Sequence, residues 1–278
     1  MGKTPFSTIP FTNMISKNQA KLIRSLEMKK HRLAEKLFVA EGPKLVDELL
    51  RAYPCHYLAA TPEWWEQQKK QTQIEKTVKT DVVSPEELHR ISLQKHPQQV
   101  LALFRLPMQD NPAELFSIPQ RELCLALDDV QDPGNLGTIV RLADWFGIRH
   151  IFCSPGTADV YAPKAVQATM GSLARVQLHY GPLQELIKQQ SLPTQAPTPV
   201  YGTFLDGTPL HQVALENHGI LLMGNEGKGI SPELAEMVSR RIYIPTYPAI
   251  RQEGERPESL NVAIATAILC AEFRRRVS

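Results

Sequence analysis

The sequence predicts an α/β protein: a small α/β domain, then a larger, mostly parallel sheet with helices on both faces. Apolar runs of strand length alternate with segments of helical periodicity along most of the chain. Some of these runs, Leu123-Cys124-Leu125-Ala126-Leu127 above all, lack the polar alternation of a half-exposed strand and suit strands buried on both faces. A length of 278 residues with 42% hydrophobic content is enough for two cores.

The chain opens with a basic region. Lys3, Lys17, Lys21, Arg24, Lys29, Lys30, Arg32 and Lys36 meet only Glu27 and Glu35, while Leu22, Leu26, Leu33 and Leu37 trace a helical stripe. The positive charges then occupy the other face, either as an ordinary solvated surface or as contacts to nucleic-acid phosphates. Leu37–Ala40 read as a short strand, Pro43 opens a helix through Leu45, Val46, Leu49 and Leu50, and Cys55–Ala60 read as a second strand. Thr61-Pro62 start a helix carrying Trp64 and Trp65, one expected in the core and one at the surface. A strand ends at Val82-Val83, Ser84 and Glu87 spell a capping box, and Gln98–Leu106 form a last strand. Residues 108–120, proline-rich and aperiodic, read as a linker between domains 1–107 and 121–278.

The second domain starts with the Leu123 strand. Asp128 to Asn135 supply turn chemistry, with paired acids, Pro133-Gly134 and Asn135 as the expected N-cap. Leu136, Ile139, Val140 and Ala143 then form the apolar stripe of a helix, with Arg141 at its edge. Further strands are expected at Arg149–Cys153, Arg175–Tyr180, Val200–Leu205, Ile220–Gly224 and Arg241–Pro245. Helices fit Pro163–Gly171, Leu183–Gln189, Ser231–Ser239 and Ser259–Arg276, and Arg274 to Arg276 suit the negative end of the last one.

A net charge of +2 does not announce a nucleic-acid binder by itself. The 4 cysteines are scattered with no C-x-x-C spacing and two sit in apolar strand runs, so buried free thiols in a reducing compartment are expected, and no metal. No apolar run reaches membrane-span length and no signal-peptide core is present, so a soluble, cytoplasmic protein is expected.

Three stretches carry candidate chemistry. The loop after the Leu123 strand lies where open α/β sheets place their sites. Gly224-Asn225-Glu226-Gly227-Lys228-Gly229-Ile230-Ser231 holds three glycines that allow close backbone approach to a ligand; Leu222 and Gly229 break the phosphate-loop spacing. Glu258-Ser259-Leu260-Asn261-Val262 precedes the last helix, with Ser259 the expected N-cap and no hydrolase motif around it.

Taken in order, Asn135-x-Gly137-x-x-x-Arg141, Gly224 to Ser231, and Ile244-Pro245 followed by Glu258 to Val262 resemble the three motifs of the SpoU (TrmH) family. These are RNA ribose 2′-O-methyltransferases of the SPOUT superfamily. Lys21 to Leu103, notably Phe38 to Gly42, is similar to the family's ribosomal-protein-like substrate-binding domain. The resemblance implies a SPOUT-type knotted sheet, a rare exception to ordinary chain topology. It also implies a homodimer that completes its site at the subunit interface.

It further implies S-adenosylmethionine as methyl donor, held largely by backbone at Leu222, Met223, Gly224, Asn225, Gly229, Ile244, Pro245, Ser259 and Leu260. Arg141 maps to the catalytic arginine, with Asn135, Glu226, Ser259 and Asn261 as the other polar site positions. A guanidinium is a poor base, so phosphate contact and exclusion of water must assist it, and whether it removes the proton or orients phosphate and hydroxyl stays open. Lys21, Arg24, Lys29, Lys30, Arg32 and Arg141 are the candidate RNA contacts, ribosomal RNA being favoured over transfer RNA. Where most of the family has a shorter loop, this chain carries residues 246–257, a candidate lid or RNA contact through Arg251 and Arg256. The competing readings are a non-catalytic ribosome-assembly factor of the same fold and a nucleotide-binding enzyme.

Overall fold

The structure, a computed structural model, describes residues 15–68, 78–108, 112–190, 197–247 and 259–275. Two units emerge: Met1–Met108 with Tyr161–Ala174, and Gln109–Val160 with Arg175–Ser278.

The first unit runs α1 (Lys17–Ser25), α2 (Lys29–Glu35), β1 (Leu37–Glu41), α3 (Pro43–Leu49), β2 (Cys55–Ala60), α4 (Pro62–Gln68), β3 (Lys79–Val82), α5 (Pro85–Ile91) and β4 (Val100–Arg105). Its sheet is ordered β1-β4-β2-β3, with β4 antiparallel to both neighbours and β2 parallel to β3. The capping box at Ser84 and Glu87 is formed, and Trp64 is buried while Trp65 is half-buried. The basic region differs from one continuous stripe. It breaks between Ser25 and Lys29 into two helices; Ile23 and Leu26 enter the core, whereas Leu33 is 59% exposed.

The second unit begins with α6 (Pro112–Phe116) and a 3-10 turn at Ile118–Gln120, inside the stretch read as linker. Ile118 is buried, and Leu115 and Phe116 pack on the same apolar cluster as Leu222 of the sheet, so this stretch seals one end of the core. There follow β5 (Leu123–Leu127), α7 (Pro133–Trp145), β6 (His150–Cys153), α8 (Pro163–Thr169), β7 (Gln177–Tyr180), α9 (Leu183–Gln190), β8 (Val200–Pro209), β9 (Gly219–Met223), α10 (Pro232–Ala235), β10 (Arg240–Tyr243) and α11 (Val262–Arg275). Of these, α8 belongs to the first unit, where it packs against β1 and Tyr161 sets its ring 5.0 Å from that of Phe38.

The second sheet is ordered β10-β8-β9-β5-β6-β7 and every pair is parallel. Leu123 to Leu127 sit fully buried in its middle. Sequence order moves outward from β5 to β6 and β7 on one side, and β9 lies on the other. The carboxyl ends of β5 and β9 therefore flank a switch point, where open sheets leave a crevice. Helix α7 buries Leu136, Ile139, Val140 and Ala143 completely; each of the three larger side chains stabilises by about 1.5–3 kcal/mol, enough to fix the face α7 presents.

Arg274 does something other than complement its own helix. Its guanidinium donates to the carbonyls of Phe146 (2.6 Å) and Gly147 (3.1 Å), tying α11 to the carboxyl end of α7. Burial pushes the thiols of Cys124, Cys153 and Cys270 up, the last to about 12, which leaves them protonated and inert. No helix among the described residues is long and apolar enough to cross a membrane.

Candidate active site

Three segments meet beyond the carboxyl ends of β5 and β9: the turn into α7, the glycine loop 224–231, and the start of α11. The first correction to the sequence reading sits at their centre. Asp132, not Asn135, caps α7, accepting the Asn135 N–H at 2.8 Å with Pro133 in the first helical position. Asn135 is thus inside the first turn and its side chain is available for tertiary contacts.

Those contacts form a directed relay. Asn261 Oδ1 accepts from the N–H groups of Ala263 (3.0 Å) and Ile264 (3.2 Å), capping α11. This cap turns Asn261 Nδ2 toward Asn135 Oδ1, which accepts at 3.0 Å. Asn135 Nδ2 then donates to Glu226 Oε1 at 2.9 Å. The Asn135 amide thus presents Nδ2 to Glu226 and Oδ1 to Asn261, which links the two. The second correction follows: Ser259 lies outside the helix, exposed, and makes no hydrogen bond among the described residues.

The glycine loop is closed on itself. Asn225 and Gly229 exchange backbone hydrogen bonds, both 2.9 Å, and Asn225 Oδ1 accepts from the N–H groups of Gly227 (2.9 Å) and Lys228 (3.0 Å). Those two N–H groups are therefore committed within the loop, which removes a phosphate cradle at Gly227-Lys228. A Cβ at Gly224 would collide with the backbone of Gly229 and Ile230, so only glycine fits there. Gly229, at φ +72°, has open space where its Cβ would stand.

Arg141 sits on the exposed side of α7, six residues and about 9 Å of helix rise beyond Asn135. The partner that local spacing offers it, Asp144, is instead gripped by Arg175, with contacts of 3.0 Å from Nε and 2.9 Å from Nη2. Among the described residues the Arg141 side chain makes no hydrogen bond or ion pair.

The other candidates divide. The side chains of Leu222 and Met223 are buried in the core, so only their backbone can face a ligand. Ile244 and Pro245 are half-buried, and Leu260 is exposed. Lys21, Arg24, Lys29 and Lys30 are exposed on α1 and α2. Arg32 is corrected as an RNA contact: it is 3% exposed, and its Nη1 donates to the carbonyls of Leu26 and Glu27, both at 2.7 Å, where it holds the turn between the two helices. Arg251 and Arg256 lie outside the described residues. A surface groove lies elsewhere, along Thr208, Val213 and Arg240.

Sequence reasoning passed over Asp128, Asp129 and Asp132. The signal for Asp132 was the Asp-Pro pair, a standard helix opening. For Asp128 and Asp129 it was an acid pair abutting an apolar strand, where a buried carboxylate needs a partner.

Residues 122–271 match the model of the SpoU rRNA Methylase family, and residues 17–102 match that of the MRM3-like substrate binding domain. The chain is 30% identical over 265 residues to the Bacillus subtilis 23S rRNA (guanosine(2553)-2'-O)-methyltransferase RlmP, covering 93% of this chain and 97% of that one. Among solved structures it resembles a putative RNA methyltransferase of the TrmH family from Porphyromonas gingivalis, at 44% identity and TM-score 0.81, covering 95% of this chain and 99% of that one. It also resembles the AdoMet-bound rRNA methyltransferase from Sinorhizobium meliloti, at 31% identity and TM-score 0.80, over 96% and 97% of the two chains. With the family model spanning more than half of its length, the chain belongs to the SpoU rRNA Methylase family.

Proposed function

We propose that this protein transfers a methyl group from S-adenosylmethionine to a ribose 2′-hydroxyl of a structured RNA, and that the RNA is ribosomal. The observation behind this reading is the Glu226–Asn135–Asn261 relay, which joins three distant segments on the helix that also carries the unpartnered Arg141. The named activities of the B. subtilis and S. meliloti relatives favour the ribosomal substrate.

The donor suits the residues present. Backbone at Leu222 and Met223, the open face of Gly229 and the apolar rim of Ile244, Pro245 and Leu260 offer neutral main-chain partners and apolar surface, which suit an adenosine moiety. When bound, S-adenosylmethionine supplies an activated methyl group on a sulfonium.

Arg141 holds a phosphate beside the target ribose and donates to the 2′-oxygen, stabilising the negative charge that develops there as the hydroxyl proton passes to water. Asn135, Glu226 and Asn261 fix the start of α7 relative to the glycine loop and α11, so that Arg141 is held in place. Lys21, Arg24, Lys29 and Lys30 contact RNA phosphates and position the substrate without reading its sequence.

The family's knotted threading is carried over as part of this reading, as is a homodimer. Support for the dimer is an exposed apolar set on the packed pair α7 and α11: Trp145 (84% exposed), Ile264 (54%) and Ile268 (38%). The free buried thiols fit a reducing, cytoplasmic setting.

Calorimetric titration with S-adenosylmethionine, followed by transfer of labelled methyl to ribosomal RNA, tests the proposal. Donor binding in the micromolar range with label on ribose oxygen is the expected result. Binding without transfer to any RNA would favour a non-catalytic assembly factor, and no binding would retire the reading.

A further inference from the structure

The glycine loop 224–231 poses a mechanical problem. Three glycines within six residues make it costly to order, and its internal hydrogen bonds set its shape without fixing where it stands. Besides the relay contact through Glu226, two hydrogen bonds among the described residues hold it to the sheet, and both end on adjacent residues at the tip of β5. Asn225 Nδ2 donates to the carbonyl of Asp129 at 2.8 Å, securing the entrance of the loop. The N–H of Ser231 donates to Asp128 Oδ2 at 2.7 Å, securing its exit.

The acid pair is itself built to do this. Asp128 is 7% exposed, and its own N–H donates to the carbonyl of Met223 at 2.9 Å, zipping β5 to β9 up to the loop's first residue. Asp129 stands at φ +57°, a left-handed conformation that aspartate tolerates better than most side chains. Its N–H donates to Ser154 Oγ at 2.9 Å, and Gly156 leaves room for its carboxylate, which accepts from Gln131 Nε2 at 3.0 Å. The turn at Asp129 lets a side chain and the next carbonyl engage opposite ends of one loop.

We infer that Asp128 and Asp129 are positioning residues for the methyl donor, acting through Asn225 and Ser231 to hold the glycine loop in its donor-binding position. The inference rests on the function proposed above. Loss of either tie lets the loop wander, so donor affinity falls while the chemistry at saturating donor is retained.

The test measures S-adenosylmethionine binding by calorimetry and donor KM against kcat, with hydrogen exchange of the loop amides in the donor-free protein. Asp128→Ala is expected to weaken donor binding at least tenfold, keep kcat within about threefold, and speed exchange in 225–231 but not in β5. Asp128→Asn, whose amide oxygen still accepts from Ser231, is expected to restore most of the affinity. Should Asp128→Ala fail to fold, Asp129 decides: Asp129→Gly keeps the left-handed turn and binds like wild type, whereas Asp129→Val strains it and binds at least tenfold weaker. If wild type binds the donor and the Ala and Val variants bind equally well, this inference is overturned and the methyltransferase reading stands. If wild type binds no donor, the function fails and takes the inference with it.

Discussion

Glu41 in the first unit and Asn135 in the second each organise a polar cluster near a strand end, and the two clusters have opposite character. Glu41, the last residue of β1, is 4% exposed and accepts from the Ser92 hydroxyl and from the Leu93 N–H at 2.9 Å. Both donors come from the turn after α5, and the carboxylate is enclosed. Asn135 is half-buried and relays between Glu226 and Asn261, which lie 91 and 126 residues away in sequence. Removing an enclosed carboxylate costs stability, because it leaves buried donors unpaired. A relay at the solvent edge contributes less, since water competes for its exposed bond between Asn261 and Asn135. In the proposed function, its assembly from three segments serves a ligand more than the fold.

The sharpest way to break this contrast is at Arg141. Arg141→Ala is expected to lower turnover by about two to three orders of magnitude, as for loss of a main charge-stabilising donor. The same variant should bind S-adenosylmethionine within about threefold of wild type and lose no more than about 0.5 kcal/mol of stability, as for a surface substitution. A turnover assay, calorimetry and urea denaturation check the three parts; a large stability loss would erase the distinction between the clusters.

Glu41→Ala is the mirror case. It strands the Leu93 N–H and the Ser92 hydroxyl, and urea denaturation should show a loss of about 2–4 kcal/mol, with donor affinity of the folded protein unchanged. Asn135→Ala lies between the two. It should cost about 1 kcal/mol or less of stability, yet lower turnover by about tenfold to a hundredfold by loosening the α7 start, measured at saturating donor and RNA.

The smallest effect is a pH dependence. Burial, opposed by the bonds from Ser92 and Leu93, leaves the Glu41 carboxyl above its ordinary range. A raised folded-state value means the folded protein holds the proton more tightly than the unfolded chain does. The stabilisation from Glu41 is then full at pH below the ordinary glutamate range and is lost as pH rises through the raised value. Glu41→Gln should thus match wild type more closely in acid and gain relative stability toward neutral pH, read from denaturation midpoints across that window.

How much of this was legible depended on distance along the chain. The Leu123 strand, the α7 stripe and the Ser84-Glu87 capping box were readable because each is a pattern of neighbouring residues. The caps of α7 and α11 were misplaced, although Asp132 and Asn135, like Ser259 and Asn261, are all competent cap residues. Tertiary demand on Asn135 and Asn261 decided which residue did what. Arg32 looked like one more surface cation, because periodicity cannot show a guanidinium folding back onto the Leu26 and Glu27 carbonyls. The contact of Arg274 with the end of α7 and the relay through Asn135 depend on which strands pair, so local patterns could not locate them. Family resemblance supplied the candidate residues, and the hydrogen bonds show which of them meet.

The central claim is tested most directly by mapping ribose 2′-O-methylation across all stable RNAs in cells with and without this gene, complemented by wild type or by Arg141→Ala. The account predicts that a ribosomal RNA position loses its methyl group on deletion, regains it with wild type and does not regain it with Arg141→Ala. An unchanged methylation map, or full restoration by the arginine variant, would contradict it.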